Sequence, residues 1–265
     1  MNRIDEKFAQ LNKLSGKAFI SYVTAGDPDL NRTRELVLAL ENGGADIIEL
    51  GIPFSDPLAD GKTNQEAAER ALKNGVTLAD VINLVADLRK ETQIPIVFFT
   101  YLNPVYQYGY EKFAADAAKA GVDGMLALDV PPEESASLKK ALDENNLRMI
   151  FLITPTSNEE RVKKITKQVS GFIYYVSRTG VTGVTDKLSD DMEEHINLIR
   201  KYSDIPIAVG FGISKPEHVK QVAEIADGVI VGSAIVKKVA DGGDSDEMVE
   251  NVKSFVQYLV EPIKK

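Results

Sequence analysis

Two carboxylates, Glu49 and Asp60, stand in the stretch IIELGIPFSDPLADG (47–61). Glu49 ends an apolar, β-forming run, with Ile47, Ile48 and Leu50 around it. Such surroundings are dry, and desolvation favours the protonated acid, which is how a protein makes a general acid. Asp60 follows Pro53 and Pro57, in a loop that can carry it across a bound substrate from Glu49. Two carboxylates in unlike environments can divide acid and base roles. The plainer readings are a helix cap or a lysine partner for Glu49, and a mere turn for the Asp-Pro and Asp-Gly pairs. Asp56 is the nearest rival to Asp60.

A second set of residues suits an anion. SRTGVTG (177–183), GFGIS (210–214) and GSA (232–234) are glycine-rich turns. Glycines let backbone N–H groups approach a phosphate, and a helix starting at Gly232 or Ser233 aims its positive end at one. The alternative is that these glycines only make tight turns. The chain has no cysteine, which excludes disulfides, thiolate zinc sites and thiol nucleophiles. Its two histidines, His195 and His218, stand apart on expected helices, so no metal site is expected from them.

The elements that must position these groups follow from the pattern of apolar runs. There are eight: 18–26, 46–51, 94–101, 124–130, 148–153, 172–177, 205–212 and 228–233. They are continuous rather than alternating, as strands buried on both faces should be. Helical patterns lie between them, including 31–44, 78–90 and 131–146. Strand–helix alternation repeated eight times predicts a parallel sheet, and the length fits a closed (β/α)8 barrel. A doubly wound open sheet is the alternative, but the first turn, TAGDPD, lacks its glycine fingerprint. Extra helices are expected at 2–14, as a plug for the barrel bottom, at 61–74 after strand 2, and at 241–263 after the last unit.

Composition sets the outer bounds. The 265 residues read as a single barrel domain, 1–265, large enough for a core without disulfide or structural metal. The formal charge of −9 disfavours nucleic acid or an anionic membrane as the main partner. No run reaches transmembrane length and the N-terminus carries no long apolar stretch, so a cytoplasmic protein is expected.

In this fold the active site lies at the C-terminal ends of the strands. The polar residues there are Glu49, Asp60, Tyr101, Asn103, Asp129 and Tyr174, together with the three glycine-rich turns. Loops after strands 7 and 8 are the common phosphate site.

ELGIPFSDPLADG resembles the signature of the tryptophan synthase α chain family, and the likeness extends over nearly the whole chain through FISYVTAGDP, LDVPPEE, YYVSRTGVTG, GFGIS and GSAIVK. The resemblance implies a (β/α)8 lyase that cleaves indole-3-glycerol phosphate to indole and D-glyceraldehyde 3-phosphate. It places the catalytic acid on Glu49 and the indole-nitrogen partner on Asp60. It places phosphate contacts on Gly183, Gly212, Gly232 and Ser233, and a tyrosine near the acid on Tyr174. Thr182 falls on a loop residue that closes over Asp60, and Phe211 and Tyr22 on indole contacts; Tyr101 joins the substrate-binding set. The family usually has phenylalanine at the position of Tyr22 and proline at that of Lys62. The resemblance further implies no cofactor in this chain, a β-chain partner that carries pyridoxal phosphate, and an α2β2 heterotetramer. Two rival readings are a stand-alone indole-3-glycerol-phosphate lyase releasing free indole and a non-catalytic phosphate-sugar binding barrel.

Overall fold

The computed structural model describes residues 1–177, 190–210 and 212–264. Eight strands pair in chain order: β1 (Ala18–Thr24), β2 (Ile47–Gly51), β3 (Ile96–Thr100), β4 (Gly124–Ala127), β5 (Arg148–Ile153), β6 (Ile173–Val176), β7 (Ile207–Gly210) and β8 (Gly228–Val231). All neighbours are parallel, and β8 pairs back onto β1 with Phe19 opposite Val229. The sheet is therefore the expected closed barrel, and the open doubly wound alternative is ruled out. Most apolar runs overshoot their strands, because residues such as Ala25, Tyr101 and Val130 stay buried after the ladder ends.

The helices are α1 (Arg3–Lys13), α2 (Leu30–Gly43), α3 (Lys62–Lys73), α4 (Leu78–Leu88), α5 (Leu102–Tyr108), α6 (Tyr110–Ala120), α7 (Ala136–Glu144), α8 (Glu159–Thr166), α9 (Asp190–Arg200), α10 (Pro216–Ile225), α11 (Ser233–Gly242) and α12 (Asp246–Val260). Local chemistry sets their ends. Asp29 caps α2 through Arg32 N–H, and left-handed Gly44 stops it. Thr77 and Asp80 form a reciprocal capping box on α4. Two expected helices differ. The stretch 131–146 divides into a 3₁₀ turn at Pro132–Glu134 followed by α7. The expected helix at 241–263 starts later: Gly243, at φ 57°, ends α11 and Ser245 caps α12.

Strand periodicity, hidden in the sequence by two-sided burial, is plain in the packing. Ala18, Ile20, Ile47, Val97, Leu126, Ile150, Phe172, Ala208 and Ile230 fill the barrel interior, closed below by Ile4 and Phe8 of α1. The alternate residues, among them Phe19, Val23, Ile48, Leu50 and Phe98, pack outward against the helices. That phase carries Tyr22, Glu49, Phe99, Leu152 and Tyr174 inward, one pleat nearer the strands' C-terminal ends. Among the described residues no helix is long and apolar enough to cross a membrane.

Candidate active site

A cavity of about 430 Å³ opens at this end of the barrel. Phe99, Leu128, Leu152 and Ile230 give it apolar walls; Glu49, Asp60, Asn64 and Thr154 are among its polar groups. A larger opening of about 810 Å³ lies at the opposite end, beside Phe8, Arg148 and Pro206. There Arg148 is held by Asp5, and Lys17 donates to the carbonyl of Ala226, so these cations already have partners. The smaller cavity is where Glu49 and Asn64 bring acceptor oxygens that no described residue bonds.

Glu49 is fully buried, and neither carboxylate oxygen has a hydrogen-bond partner among the described residues. Burial pushes its carboxyl up to about 8, so it is protonated at neutral pH. The dryness expected for Glu49 is present, but of the three residues expected to cause it only Ile47 faces the barrel interior. Ile48 and Leu50 point into the helix layer. The surroundings Glu49 meets are those of the lumen, where it shares the cavity with Tyr22, Phe99 and Tyr174.

The two tyrosines are seated by glycines. A Cβ on Gly51 would lie 2.3 Å from the Tyr22 hydroxyl oxygen, and one on Gly210 would lie 2.5 Å from that of Tyr174. Only glycine at these strand ends leaves room for each phenol where it stands. The Tyr22 hydroxyl also meets Thr24 Oγ1 at 3.2 Å, and its ring packs edge-on to Phe99. Burial raises both phenols, with the nearby carboxylates adding to it, so neither ionises near neutral pH.

Asp60 stands on the loop between β2 and α3. Tyr101 donates its hydroxyl to Asp60 Oδ2 at 2.9 Å and accepts the N–H of Ala59 at 3.0 Å. Gln65 Nε2 donates to the carbonyl of Asp60 at 2.8 Å, tying the loop to the first turns of α3. Burial raises the Asp60 carboxyl, and the bonds from Tyr101 and Asn64 oppose that rise. Asp56, the rival, is exposed, accepts from the Ser55 hydroxyl and does not line the cavity. Tyr101 thus reaches the site through Asp60. Asp129 accepts the Leu102 N–H at the start of α5, and Asn103 is exposed on that helix.

Gly212, Gly232 and Ser233 form one wall of the same cavity. Gly212 has φ 73°, which a residue with a side chain rarely adopts. Gly232 caps α11 without a side-chain bond, so the first N–H groups of that helix, which have no intrahelical acceptor, open at this wall. Thr182, Gly183 and Phe211 lie outside the described residues.

Asn64, Thr63 and the wall residues Phe99, Leu128 and Leu152 line the cavity without having been singled out from sequence. The signal for Asn64 was its place four residues after Asp60 on a helix start; for the wall residues it was the inward phase of each strand. His195 bonds to the carbonyl of Ser157 and to Tyr175. Among the described residues no cluster of histidine and acidic side chains could hold a metal ion.

The family model described as tryptophan synthase alpha chain matches residues 8–264. The chain belongs to the tryptophan synthase alpha chain family. Among its relatives, the alpha chain of Geobacter sp. (strain M21) is 50% identical over 265 residues, covering 100% of this chain and 99% of that one. The alpha chain of Caldanaerobacter subterraneus subsp. tengcongensis is 48% identical over 261 residues, covering 98% and 99%. The crystal structure of tryptophan synthase subunit alpha from Legionella pneumophila str. Paris superposes with a TM-score of 0.91 at 37% identity, covering 99% and 98%. As a tryptophan synthase alpha chain, the protein is a carbon–carbon lyase of tryptophan biosynthesis, cleaving indole-3-glycerol phosphate to indole and D-glyceraldehyde 3-phosphate.

Proposed function

We propose that Glu49 and Asp60 divide this cleavage between them. Glu49, held protonated by burial, delivers its proton to indole C3. The ring becomes an indolenine, and Asp60 stabilises the positive charge at the ring nitrogen by accepting its N–H. The Glu49 carboxylate so formed takes the proton of the C3′ hydroxyl. The C3–C3′ bond then breaks, its electron pair flows into the C=N unit to restore the indole, and C3′ becomes the aldehyde. One proton leaves Glu49 and one returns, so the enzyme ends as it began. The observation that carries this assignment is a buried acid without a partner among the described residues, lining one cavity with a carboxylate on a loop.

The indole sits among Tyr22, Phe99 and Tyr174, with Phe211 as a further contact. The phosphate sits at Gly212, Gly232 and Ser233, with Gly183 and Thr182 closing from the glycine-rich loop. The residues 1–265 act as one barrel domain, and the chain needs no cofactor of its own. Its partner is a β chain carrying pyridoxal phosphate, in an α2β2 assembly in the cytoplasm. Indole is small and apolar and would be lost if released to solvent, which is a physical reason for the two chains to dock and pass it directly.

The test is indole release from indole-3-glycerol phosphate, measured across a titration with a pyridoxal-phosphate β chain. A low rate alone that climbs with the partner is expected. A rate already high and flat across the titration would favour the stand-alone lyase, and no turnover in either case the non-catalytic barrel.

A further inference from the structure

Four buried side-chain oxygens have no hydrogen-bond partner among the described residues: Ser21 Oγ, both oxygens of Glu49, and Asn64 Oδ1. Buried polar atoms in folded proteins are almost always paired, so each such orphan calls for a reason. Ser21 does not line the cavity; Glu49 and Asn64 both do. Asn64 therefore shares with the proposed catalytic acid an unusual property, an acceptor left open at the same cavity.

Its orientation is fixed by its neighbour. Asn64 lies in the first turn of α3, one turn after Asp60, and its Nδ2 faces Asp60 Oδ1 at 3.5 Å. A carboxylate only accepts, so the amide nitrogen must be the end turned to Asp60. Reversing the amide would set oxygen against oxygen. Oδ1 is consequently the end left without a donor.

We propose that Asn64 is a third polar residue of the ring-nitrogen subsite, its Nδ2 orienting Asp60 and its Oδ1 sharing the indole N–H of the bound substrate. This rests on the reading of Asp60 as the partner of that nitrogen. Asp60 then has a defined donor on each oxygen, Tyr101 on Oδ2 and Asn64 on Oδ1. The N–H meets two acceptors from one helix start. Because positive charge on the ring nitrogen develops only as C3 is protonated, this arrangement acts on turnover more than on substrate affinity.

The charged and titratable groups around Asp60 among the described residues are Glu49 of β2, Tyr22 of β1, Tyr174 of β6, Tyr101 after β3 and Lys62 beside it. The Lys62 ammonium lies 3.6 Å from Glu66. Loss of the Asn64 donor removes one of the two bonds that oppose the burial-driven rise of Asp60. The acid limb of the kcat/KM profile should then move to higher pH.

The experiment compares Asn64→Leu and Asn64→Asp with the parent, in complex with the β chain. Readouts are kcat and KM for indole-3-glycerol phosphate, the pH profile, and inhibition by glycerol 3-phosphate. Asn64→Leu should lower kcat about tenfold, the scale of a hydrogen bond to a charged group, and shift the acid limb upward. Inhibition by glycerol 3-phosphate should stay within about twofold, since the phosphate wall is untouched. Asn64→Asp keeps an acceptor but sets a like charge against Asp60, so its limb should move further and its kcat fall more. If Asn64→Leu fails to fold, Asn64→Ser carries the same comparison. A folded variant with kcat within about twofold of the parent and an unmoved acid limb overturns the proposal. Asp60→Asn is run alongside. Full activity there would remove the ring-nitrogen reading itself, whereas an inactive Asp60→Asn beside an unaffected Asn64→Leu would remove only the role of Asn64.

Discussion

Acids at the N-terminal end of the barrel are held by strand and cation, buried Asp46 and Asp123 and half-exposed Asp227 alike, whereas Glu49 at the other end is buried without either among the described residues. At the N-terminal end, Asp46, Asp123 and Asp227 stand just before β2, β4 and β8, and each closes a two-bond clamp on the strand before it. The Asp46 N–H donates to the Phe19 carbonyl while its carboxylate accepts the Phe19 N–H; Asp123 does the same with Ile96, and Asp227 with Ile207. Ser170, ahead of β6, repeats the clamp on Met149 with a hydroxyl. Each aspartate also has cations: Lys264 for Asp46, Arg3 and Arg89 for Asp123, Arg200 for Asp227. At the C-terminal end Glu49 has neither clamp nor cation among the described residues. Burial raises the carboxyls of both Asp123 and Glu49, but at Asp123 the Ile96 N–H and two guanidinium groups pull it back, and at Glu49 no described residue does. On the proposed reading of Glu49, the clamped end serves stability and the end that carries Glu49 serves chemistry, the division this fold commonly shows.

Glu49→Gln should give the largest break in that contrast. The amide keeps the shape but cannot deliver a proton, so kcat should fall on the order of a hundredfold or more, as is usual for general acid catalysis. Stability should move the other way with pH. The unfolded carboxyl ionises near 4.5 and the folded one near about 8, so between these values only the native state holds the proton. Parent stability therefore declines as pH rises through that window, at about 1.4 kcal/mol per pH unit. Urea unfolding at pH 5.5 and 7.5 should show the variant gaining about 2–3 kcal/mol on the parent between the two. Equal pH slopes would mean that Glu49 is ionised in the folded protein.

Asp123→Ala should produce the mirror image. It strands the Arg89 and Arg3 guanidinium groups and the Ile96 N–H at the barrel bottom. Removing one partner of a buried pair costs about 3–5 kcal/mol, discounted here because Arg3 is partly exposed, so a loss of about 3 kcal/mol is expected in denaturant unfolding. The kcat of the molecules that remain folded should stay within about twofold. A large kcat loss at full stability would mean the two ends are coupled.

How much of this contrast could be read in the chain alone follows from what each residue needs. The barrel was legible because eight apolar runs separated by helical segments leave few arrangements, and the structure forms all eight strands in order. Glu49 and Asp60 were legible as acids in an unusual stretch. The phase of the strands was not, since both faces are buried and no alternation survives; hence the dryness at Glu49 was attributed to Ile47, Ile48 and Leu50 together, although only Ile47 shares the lumen and the other two face the helices. Asn64 was also missed, because an asparagine in a first helical turn resembles any polar surface residue until Asp60 is seen beside it. The aspartate clamps were hidden for a related reason. Nothing local marks Asp46, at the head of the run 46–51, or Asp123 and Asp227 as bonded to the strand before, and their cations come from distant chain positions, Lys264 with Asp46 above all.

Gly212→Asp tests the proposed anion-binding wall with a smaller expected effect. The residue sits at positive φ, so a side chain is strained there, and aspartate also sets a negative charge where α11 opens. Inhibition by glycerol 3-phosphate should weaken about tenfold or more, with the far-UV spectrum and the Asp123 clamp unaffected. Unchanged inhibition would move the phosphate site away from this wall.

The smallest effect is expected at Tyr22, whose hydroxyl is given no part in the proposed proton transfers. Tyr22 lines the cavity, packs edge-on to Phe99, and spends its hydroxyl on Thr24 at 3.2 Å, outside the ordinary range for a strong O–H to O bond. Tyr22→Phe keeps the ring and its contacts and loses only that bond, so stability should change by about 1 kcal/mol or less and kcat by no more than a few-fold. Gly51→Ala approaches the same tyrosine from the strand behind it. Its Cβ would meet the hydroxyl oxygen at 2.3 Å, so the ring must turn into the cavity. KM for indole-3-glycerol phosphate should then rise well beyond the change seen in Tyr22→Phe. The double variant, Gly51→Ala with Tyr22→Phe, should recover part of that loss, because removing the hydroxyl removes the closest clash while the ring carbons at 2.8 and 2.9 Å still press on the new methyl. Additive losses in the double variant would show that Gly51 is needed for the course of β2 itself rather than for the seating of Tyr22.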